Sequence, residues 1–408
     1  LDPTQFTTSR AGELVNILIA PGVRDCAFIP ALLPPTFELS KELTNLCVDA
    51  WSELGELGGI SATLSSPELL QRPLEDREAL QSSKLEGTIA RPEDLLLYVH
   101  TNEERSADEE SDVNAHREVH NYREALRYGQ QSLASRGISL GLIRDMHEML
   151  MSGVRGQGDA AGRQRTRQVA IGTNFRYVPP PAVHVSSLME NLETYIDAER
   201  ITRVDRLTAC YIAHYQFEAI HPFEDGNGRI GRVVLALMIA HAARHTGAWL
   251  YLSPFFEQNK QEYIDRMFRV SSHGDWLGWI EFCLRGTIAQ ARDAVVRCRM
   301  LQTLYRRYKH SVTQRRSSRL ERIVESLFIT PVVTVTSLAR AQDVTFKTAQ
   351  SDIAVLTTLG ILKRMEGHRI AVHYAPAIFQ VAYAQVPMLS DDERSGDEEH
   401  NGGNDGYA

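Results

Sequence analysis

The feature that most limits how this chain can fold is a sharp polar turn between two apolar helices. It reads His221-Pro222-Phe223-Glu224-Asp225-Gly226-Asn227-Gly228-Arg229-Ile230-Gly231-Arg232. The apolar spacing is helical from Asp205 to Ile220 and again from Arg229 to His245. Two glycines around an asparagine let the backbone turn tightly and aim its N–H groups at one point. That point is a helix N-terminus, where the helix dipole favours an anion. Arg229 and Arg232 stand three residues apart and share one face of the first helical turn. Two guanidiniums beside a nest of amides suit a polyphosphate. Asp225 is the carboxylate placed to hold Mg²⁺ against those phosphates, with Glu224 pointing elsewhere. His221 adds a base at the mouth of the nest.

The surrounding chain reads as mainly α. Its 408 residues suggest two or three domains, and 43% apolar with 24% charged residues is ordinary for a soluble chain. No apolar run reaches the roughly 18 residues of a membrane helix, so no membrane partner is expected. Leu1 to Arg10 lacks a basic stretch followed by a compact apolar core, so no signal peptide is read. Five cysteines with no CxxC fit reduced thiols in a cytoplasmic protein. Residues 20–40 are Pro-rich and read as an irregular lead-in. Helical patterns follow over 39–55, 67–87, 119–129, 141–150, 185–198, 258–270 and 276–296. Gln168 to Gly172 and Tyr177 to Pro181 read as a short hairpin or flap.

The net charge of −8 is uneven. Residues 391–408 hold seven acids and one base, and residues 102–112 hold six acids and one base. Both read as solvated, the first as a disordered tail. Residues 292–372 hold fifteen Lys/Arg against six Asp/Glu. Within them the order helix, short helix, turn at Asp343-Val344-Thr345, helix and two strand-like pieces is winged-helix-like. Two kinds of partner fit: DNA, through the basic charge, or protein, through homodimerisation or target presentation. His241 and His245 have metal-ligand spacing but no third ligand, and read as helix-end histidines; His214 reads as a core histidine.

The central turn resembles the HxFx(D/E)GNGRxxR signature of Fic-domain proteins. Further stretches are similar in the family's order. Glu118 to Ala125 resembles an early core helix, and Gly162 to Gly172 resembles the flap that pins an extended target segment. Val169-Ala170 departs from the commoner form, where Asn and Trp are expected. Tyr251 to Ser253 and Asn259 to Tyr263 resemble the segment that closes on the adenine, with Tyr263 the residue favoured. The resemblance covers roughly residues 25–380. It implies a Fic fold, a helical core with a β-hairpin flap, an N-terminal helical region and a C-terminal winged helix. The implied divisions are 1–112, 113–291, 292–380 and a tail at 381–408.

The resemblance also implies a chemistry. AMP would pass from ATP to a Ser, Thr or Tyr hydroxyl of a target protein, this chain itself being one such target. His221 would take the hydroxyl proton and Asp225 would hold Mg²⁺. Gly226, Asn227, Gly228, Ile230 and Gly231 would line the phosphates, and Arg229 and Arg232 would grip the β- and γ-phosphates. Val169, Ala170, Ile171 and Gly172 would hold the target. Ser82-Ser83-Lys84-Leu85-Glu86-Gly87 is similar to the family's inhibitory [S/T]xxxE[G/N] pattern, with Ser82 and Glu86 on one helix face. Glu86 would then pair with Arg232 and take it from the γ-phosphate. Two alternatives stay open: a Fic enzyme removing AMP, and a DNA-binding regulator whose Fic site senses nucleotide.

Overall fold

The computed structural model describes residues 1–20, 23–62, 68–92, 110–154, 160–172, 176–197, 205–244, 250–366 and 371–384. The acidic loop expected at 102–112 falls mostly outside these residues, as do His245 and the acidic tail.

The chain opens with an antiparallel hairpin, β1 (Gly12–Ala20) and β2 (Val23–Pro30), in register from Gly12↔Pro30. This corrects the irregular lead-in read over 20–40 as far as Pro30; residues 31–40 hold neither helix nor strand, as read. Within β2 the one proline is Pro30, at its end, so it closes the strand and does not interrupt it. Gly12 has φ +154, and a Cβ there would lie 2.2 Å from the Ile29 carbonyl oxygen, so the crossing needs a glycine. Phe28 N–H donates to the Val178 carbonyl at 2.9 Å and ties the hairpin to the flap.

Helices α1 (Lys41–Ala62), α2 (Glu68–Leu85), α3 (Glu110–Arg136), α4 (Leu140–Met151) and α5 (Ala182–Ile196) surround α6 (Arg206–Ile220) and α7 (Asn227–Ala242). Nearly every side chain of α6 and α7 is buried, which makes this pair the centre of the core. Asp205 starts α6 by accepting from the Leu207 and Thr208 amides. Next come α8 (Ser253–Gln258), α9 (Lys260–His273) and α10 (Trp276–Thr313). Trp279 in α10 donates its indole N–H to the Tyr211 carbonyl at 2.9 Å, locking α10 to α6. The division expected at 291/292 lies inside α10, which runs on for 38 residues because Ala294, Val295, Cys298, Leu301 and Leu304 keep an apolar face buried.

After α10 come α11 (Ser318–Ile329), β3 (Val332–Thr334), α12 (Val335–Gln342), α13 (Phe346–Thr358), β4 (Lys363–Met365), β5 (Val372–Tyr374) and α14 (Pro376–Tyr383). The three strands form an antiparallel sheet in the order β3-β5-β4. Thr334 and Ser337 cap α12 reciprocally. Part of the basic charge of residues 292–372 is paired, mostly on α10. Arg292 meets Glu53, Arg299 meets Glu56 and Arg319 meets Asp352, while buried Arg297 meets Asp293 and the carbonyls of Val381, Ala382 and Ala384. Among the described residues no helix is long and apolar enough to cross a membrane.

Helix α2 is fixed by four consecutive charged residues. Glu75 pairs with Arg127, Asp76 with Arg123 and the Tyr383 hydroxyl, and Arg77 with Asp293. Glu78 accepts from the hydroxyls of Tyr122 at 2.8 Å and Ser253 at 2.5 Å. Together they set where the end of α2, Ser82 to Glu86, meets α7.

Candidate active site

Helix α6 ends at His221, which takes the left-handed conformation (φ 53) as C-cap. Its ring therefore leaves the helix axis at the start of the turn. Gly226 is also left-handed (φ 75), and a Cβ there would come within 2.9 Å of the Met151 sulfur. The Asn227 side chain closes the loop on itself, accepting from the Phe223 amide at 2.8 Å and donating to the Phe223 carbonyl at 2.9 Å. Phe223 lies flat on His147, ring centroids 3.7 Å apart. His147 Nδ1 accepts from the Gly162 amide, so Nε2 is the donor to the Asp225 carbonyl at 2.9 Å. The first amides of α7 have no intrahelical acceptor and open toward the nest. Asn227 thus shapes the nest with its side chain and has only its backbone left for an anion.

The two arginines of α7 are buried, and each meets an acid. Arg232 Nη2 donates to Glu86 Oε1 at 2.7 Å and to the Ser82 carbonyl at 2.8 Å; its Nε donates to Ser82 Oγ at 2.8 Å. Arg229 donates to Glu118 Oε2 at 2.9 Å, and the Thr88 hydroxyl donates to the same oxygen at 2.6 Å. Glu86 lies over the start of α7, so near that a Cβ at Gly228 would be 2.1 Å from its Oε1. The end of α2 is latched by Lys260, donating to the Leu85 carbonyl at 2.6 Å, and by Glu257 on Lys84 at 2.7 Å.

Burial would raise the Glu86 carboxyl, but Arg232 beside it, with Arg229 and His221, holds it below the usual carboxylate range. Arg232 is raised in turn: burial opposes its charge and Glu86 more than offsets that. Burial pushes Glu218 up to about 8, so a neutral carboxyl faces Arg232 at pH 7. Burial lowers His221 to about 4, with Arg165 adding to the effect and Glu86 and Asp225 opposing it. Its imidazole is therefore a free base at neutral pH.

A cavity of about 220 Å³ opens between α2, the flap, α6, α7 and α9, lined by Glu86, Arg232, His221, Tyr263, Ile171 and Gly172 among others. That is below the roughly 300–1,000 Å³ of small-molecule pockets, with Glu86 taking part of the space. Tyr263 is buried in its wall, its hydroxyl 2.9 Å from His214 Nε2 and its ring stacked on Phe256. Ile171 pairs with Tyr177 as a single bridge of the flap. Val169 and Ala170 do not line the cavity. Nor does Ile230, whose side chain is fully buried in the core, or Gly231, packed against Glu218 and Phe217.

Asp225 is 67% exposed, with Oδ1 2.6 Å from the Gly226 amide and 3.7 Å from Arg229. Glu224 turns away and pairs with Arg167. Among the described residues no three His, Cys, Asp or Glu side chains gather to hold a metal. One exposed carboxylate beside an anion nest still fits Mg²⁺, which keeps its waters and takes its other oxygens from a polyphosphate. The sequence reading missed Glu118, Thr88, Lys260, Glu218 and Arg165. Glu118, Thr88, Lys260 and Arg165 act through contacts with distant chain that no local pattern marks, and Glu218, one turn before His221, acts through its burial.

Residues 137–239 match the Fic/DOC family, and residues 44–131 match the Fic/DOC family N-terminal region. Protein adenylyltransferase fic-1 of Caenorhabditis elegans is 33% identical over 132 residues, 31% of this chain and 25% of that protein. Protein adenylyltransferase Fic of Drosophila erecta is 28% identical over 181 residues, 44% of this chain and 34% of that protein. The chain thus matches a quarter to a third of the length of these curated relatives. A Fic family protein from Desulfovibrio desulfuricans G20 superposes with a TM-score of 0.54 at 22% identity, covering 84% of this chain and 98% of that one. A Fic-1 fragment from C. elegans gives 0.50 at 21% identity, covering 62% and 73%. The fold is the mainly helical, Fic-type fold expected from the sequence.

Proposed function

We propose that this chain is a protein adenylyltransferase, moving AMP from ATP to a hydroxyl side chain of a target protein, and that Glu86 restrains it. The observation that carries the reading is Glu86 on Arg232 at 2.7 Å, directly over the anion nest and facing a neutral His221. Phosphoryl-type transfer is mostly positioning and charge neutralisation, with one base for the nucleophile. In the free state of α7, the amides of its first turn and the guanidiniums of Arg229 and Arg232 bind the polyphosphate. The Asp225 carboxylate would hold Mg²⁺, which supplies neutralisation of the phosphate charge. His221 takes the proton from a target Ser, Thr or Tyr hydroxyl. That oxygen forms a bond to the α-phosphorus while the bond to the bridging oxygen breaks, and pyrophosphate leaves with that electron pair.

With Glu86 in place, Arg232 already has its anion, and a carboxylate stands where a phosphate would lie. ATP that binds around it is misaligned for attack, which costs orders of magnitude in rate. The same Glu86, facing His221 across the cavity, also suits a water-orienting role in AMP removal; incubation with an AMP-modified protein separates the two directions. Residues 318–374 we read as a winged helix, whose partner is DNA, a second copy or the target. Loss of any duplex binding in a low-salt gel shift would remove the reading of a DNA-binding regulator that senses nucleotide.

The test is Glu86→Gly with α-labelled ATP, alone and in a cell lysate. Labelled AMP should enter protein, and adding His221→Ala should abolish it. If the Glu86→Gly protein binds ATP yet labels neither itself nor any other protein, the reading fails.

A further inference from the structure

Arg165 enters the site from the flap side and is 2% exposed. Among the described residues its guanidinium meets only carbonyl oxygens. Nε donates to His221 O at 2.7 Å, Nη1 to Arg167 O at 3.0 Å, and Nη2 to Pro180 O at 2.6 Å and Ile220 O at 3.3 Å. Its own amide donates to Pro222 O at 2.8 Å. These bonds join three pieces of chain: the outgoing limb of the flap, its returning limb at Pro180, and the end of α6 with the turn that follows.

Burying a guanidinium without a carboxylate is unfavourable, and burial lowers Arg165 to about 10. A neutral side chain would fill the space without that penalty. The planar fork of an arginine is what reaches carbonyls on several segments at once. His221 also needs a restraint. A non-glycine residue at φ 53 sits in a sparsely populated region and stays there only when its surroundings hold it. The carbonyl of that residue is the acceptor of the Arg165 Nε bond.

We propose that Arg165 is a positioning residue: it holds His221 and both limbs of the flap in one frame, so that a hydroxyl pinned at Ile171-Gly172 meets the imidazole. The proposal rests on the reading of His221 as the base given above. Arg165 acts through the His221 backbone and touches neither the anion nest nor the cavity. Its loss should therefore act on turnover and leave nucleotide binding alone.

The charged groups facing His221 are Arg165 from the flap, Glu86 from α2 and Asp225 from its own turn; Glu218, Arg232, Lys260 and Arg176 stand on the cavity walls. Lysine at 165 keeps the charge and loses the fork; methionine loses both.

The experiment compares Arg165→Lys and Arg165→Met in the full chain carrying Glu86→Gly. Arg165→Lys should lower kcat for AMP transfer about 100-fold with KM for ATP within roughly twofold. Amide exchange should quicken together at Ile171, on the flap, and at His221. Arg165→Met should do the same and also raise the His221 titration midpoint, followed by NMR of labelled histidine. A folded Arg165→Lys protein with unchanged kcat, or with both amides as protected as before, overturns the proposal. If Glu86→Gly with Arg165 intact transfers no AMP, the adenylyltransferase reading falls, and the exchange measurement still decides on Arg165.

Discussion

Arg232 and Arg165 are both buried at the site, 3% and 2% exposed, and they are held in opposite ways. Arg232 takes the carboxylate of Glu86, a side chain 40% exposed at the tip of a helix. Arg165 takes backbone carbonyls from both flap limbs and from the end of α6. A side-chain carboxylate can rotate away, and a phosphate oxygen can take its place on Arg232 Nη2 as another anion. A backbone carbonyl cannot leave without moving its segment. The first arginine is thus built to exchange its anion, and the second to keep its partners. Their acidities carry the same contrast: Glu86 raises Arg232, whereas Arg165 falls to about 10 for want of an acid.

The contrast breaks or sharpens most strongly on rate. Removing the exchangeable partner, in Glu86→Gly, should raise AMP transfer by about 100-fold or more. Removing the fixed fork, in Arg165→Lys, should lower it by a similar factor. Labelled-AMP incorporation checks both, and changes of the same sign would dissolve the distinction. Stability comes next. Arg165→Met strands several buried carbonyls and should cost about 3 kcal/mol in urea unfolding. Glu86→Gln should cost about 1 kcal/mol or less, because its carboxylate is partly solvated and Arg232 keeps both bonds to Ser82. Saturating ATP at 100 Kd should restore about 2.7 kcal/mol to Glu86→Gly, and less to the parent, where the nucleotide must first displace Glu86.

The same contrast explains what could be read from the sequence. Arg232 lies in a run whose glycines, histidine and paired arginines only make sense around an anion. Its partner is what the resemblance of Ser82 to Gly87 to the family's inhibitory pattern implies; helix spacing alone does not name it. The turn between α6 and α7 and the helix carrying Glu86 are legible from local pattern, whereas their meeting joins residues far apart and rests on the resemblance. Arg165 sits among Arg163 and Arg167 in a polar loop, where an arginine ordinarily points to water. Nothing nearby says that its acceptors are the carbonyls of residues 167, 180, 220 and 221. Glu118 was hidden likewise, since its bond to Arg229 joins residues far apart in the chain. The opening hairpin was lost to its terminal prolines, and the unbroken α10 to a composition that turns basic midway along one helix. Ile230 shows the opposite error. It lies within the motif and was assigned to the phosphates, yet its side chain serves the core.

The smallest effect gives the finest discrimination, because it turns on sign. Burial is the main reason His221 lies at about 4, and no single charge will return it to its ordinary value. Two charges nonetheless act on it in opposite senses. Arg165 disfavours the imidazolium and Glu86 favours it. Glu86→Gly should therefore move the His221 midpoint down, and Arg165→Met should move it up, each by a fraction of a unit. In turnover, the acid limb of the kcat/KM profile should follow, since the base must be unprotonated to accept the hydroxyl proton. Between about pH 6 and 8 the Glu86→Gly rate should be flat, the base being free throughout. Midpoints that move in the same direction in the two variants would mean that loosened burial, and not charge, governs His221; Arg165 would then act on the base through packing alone.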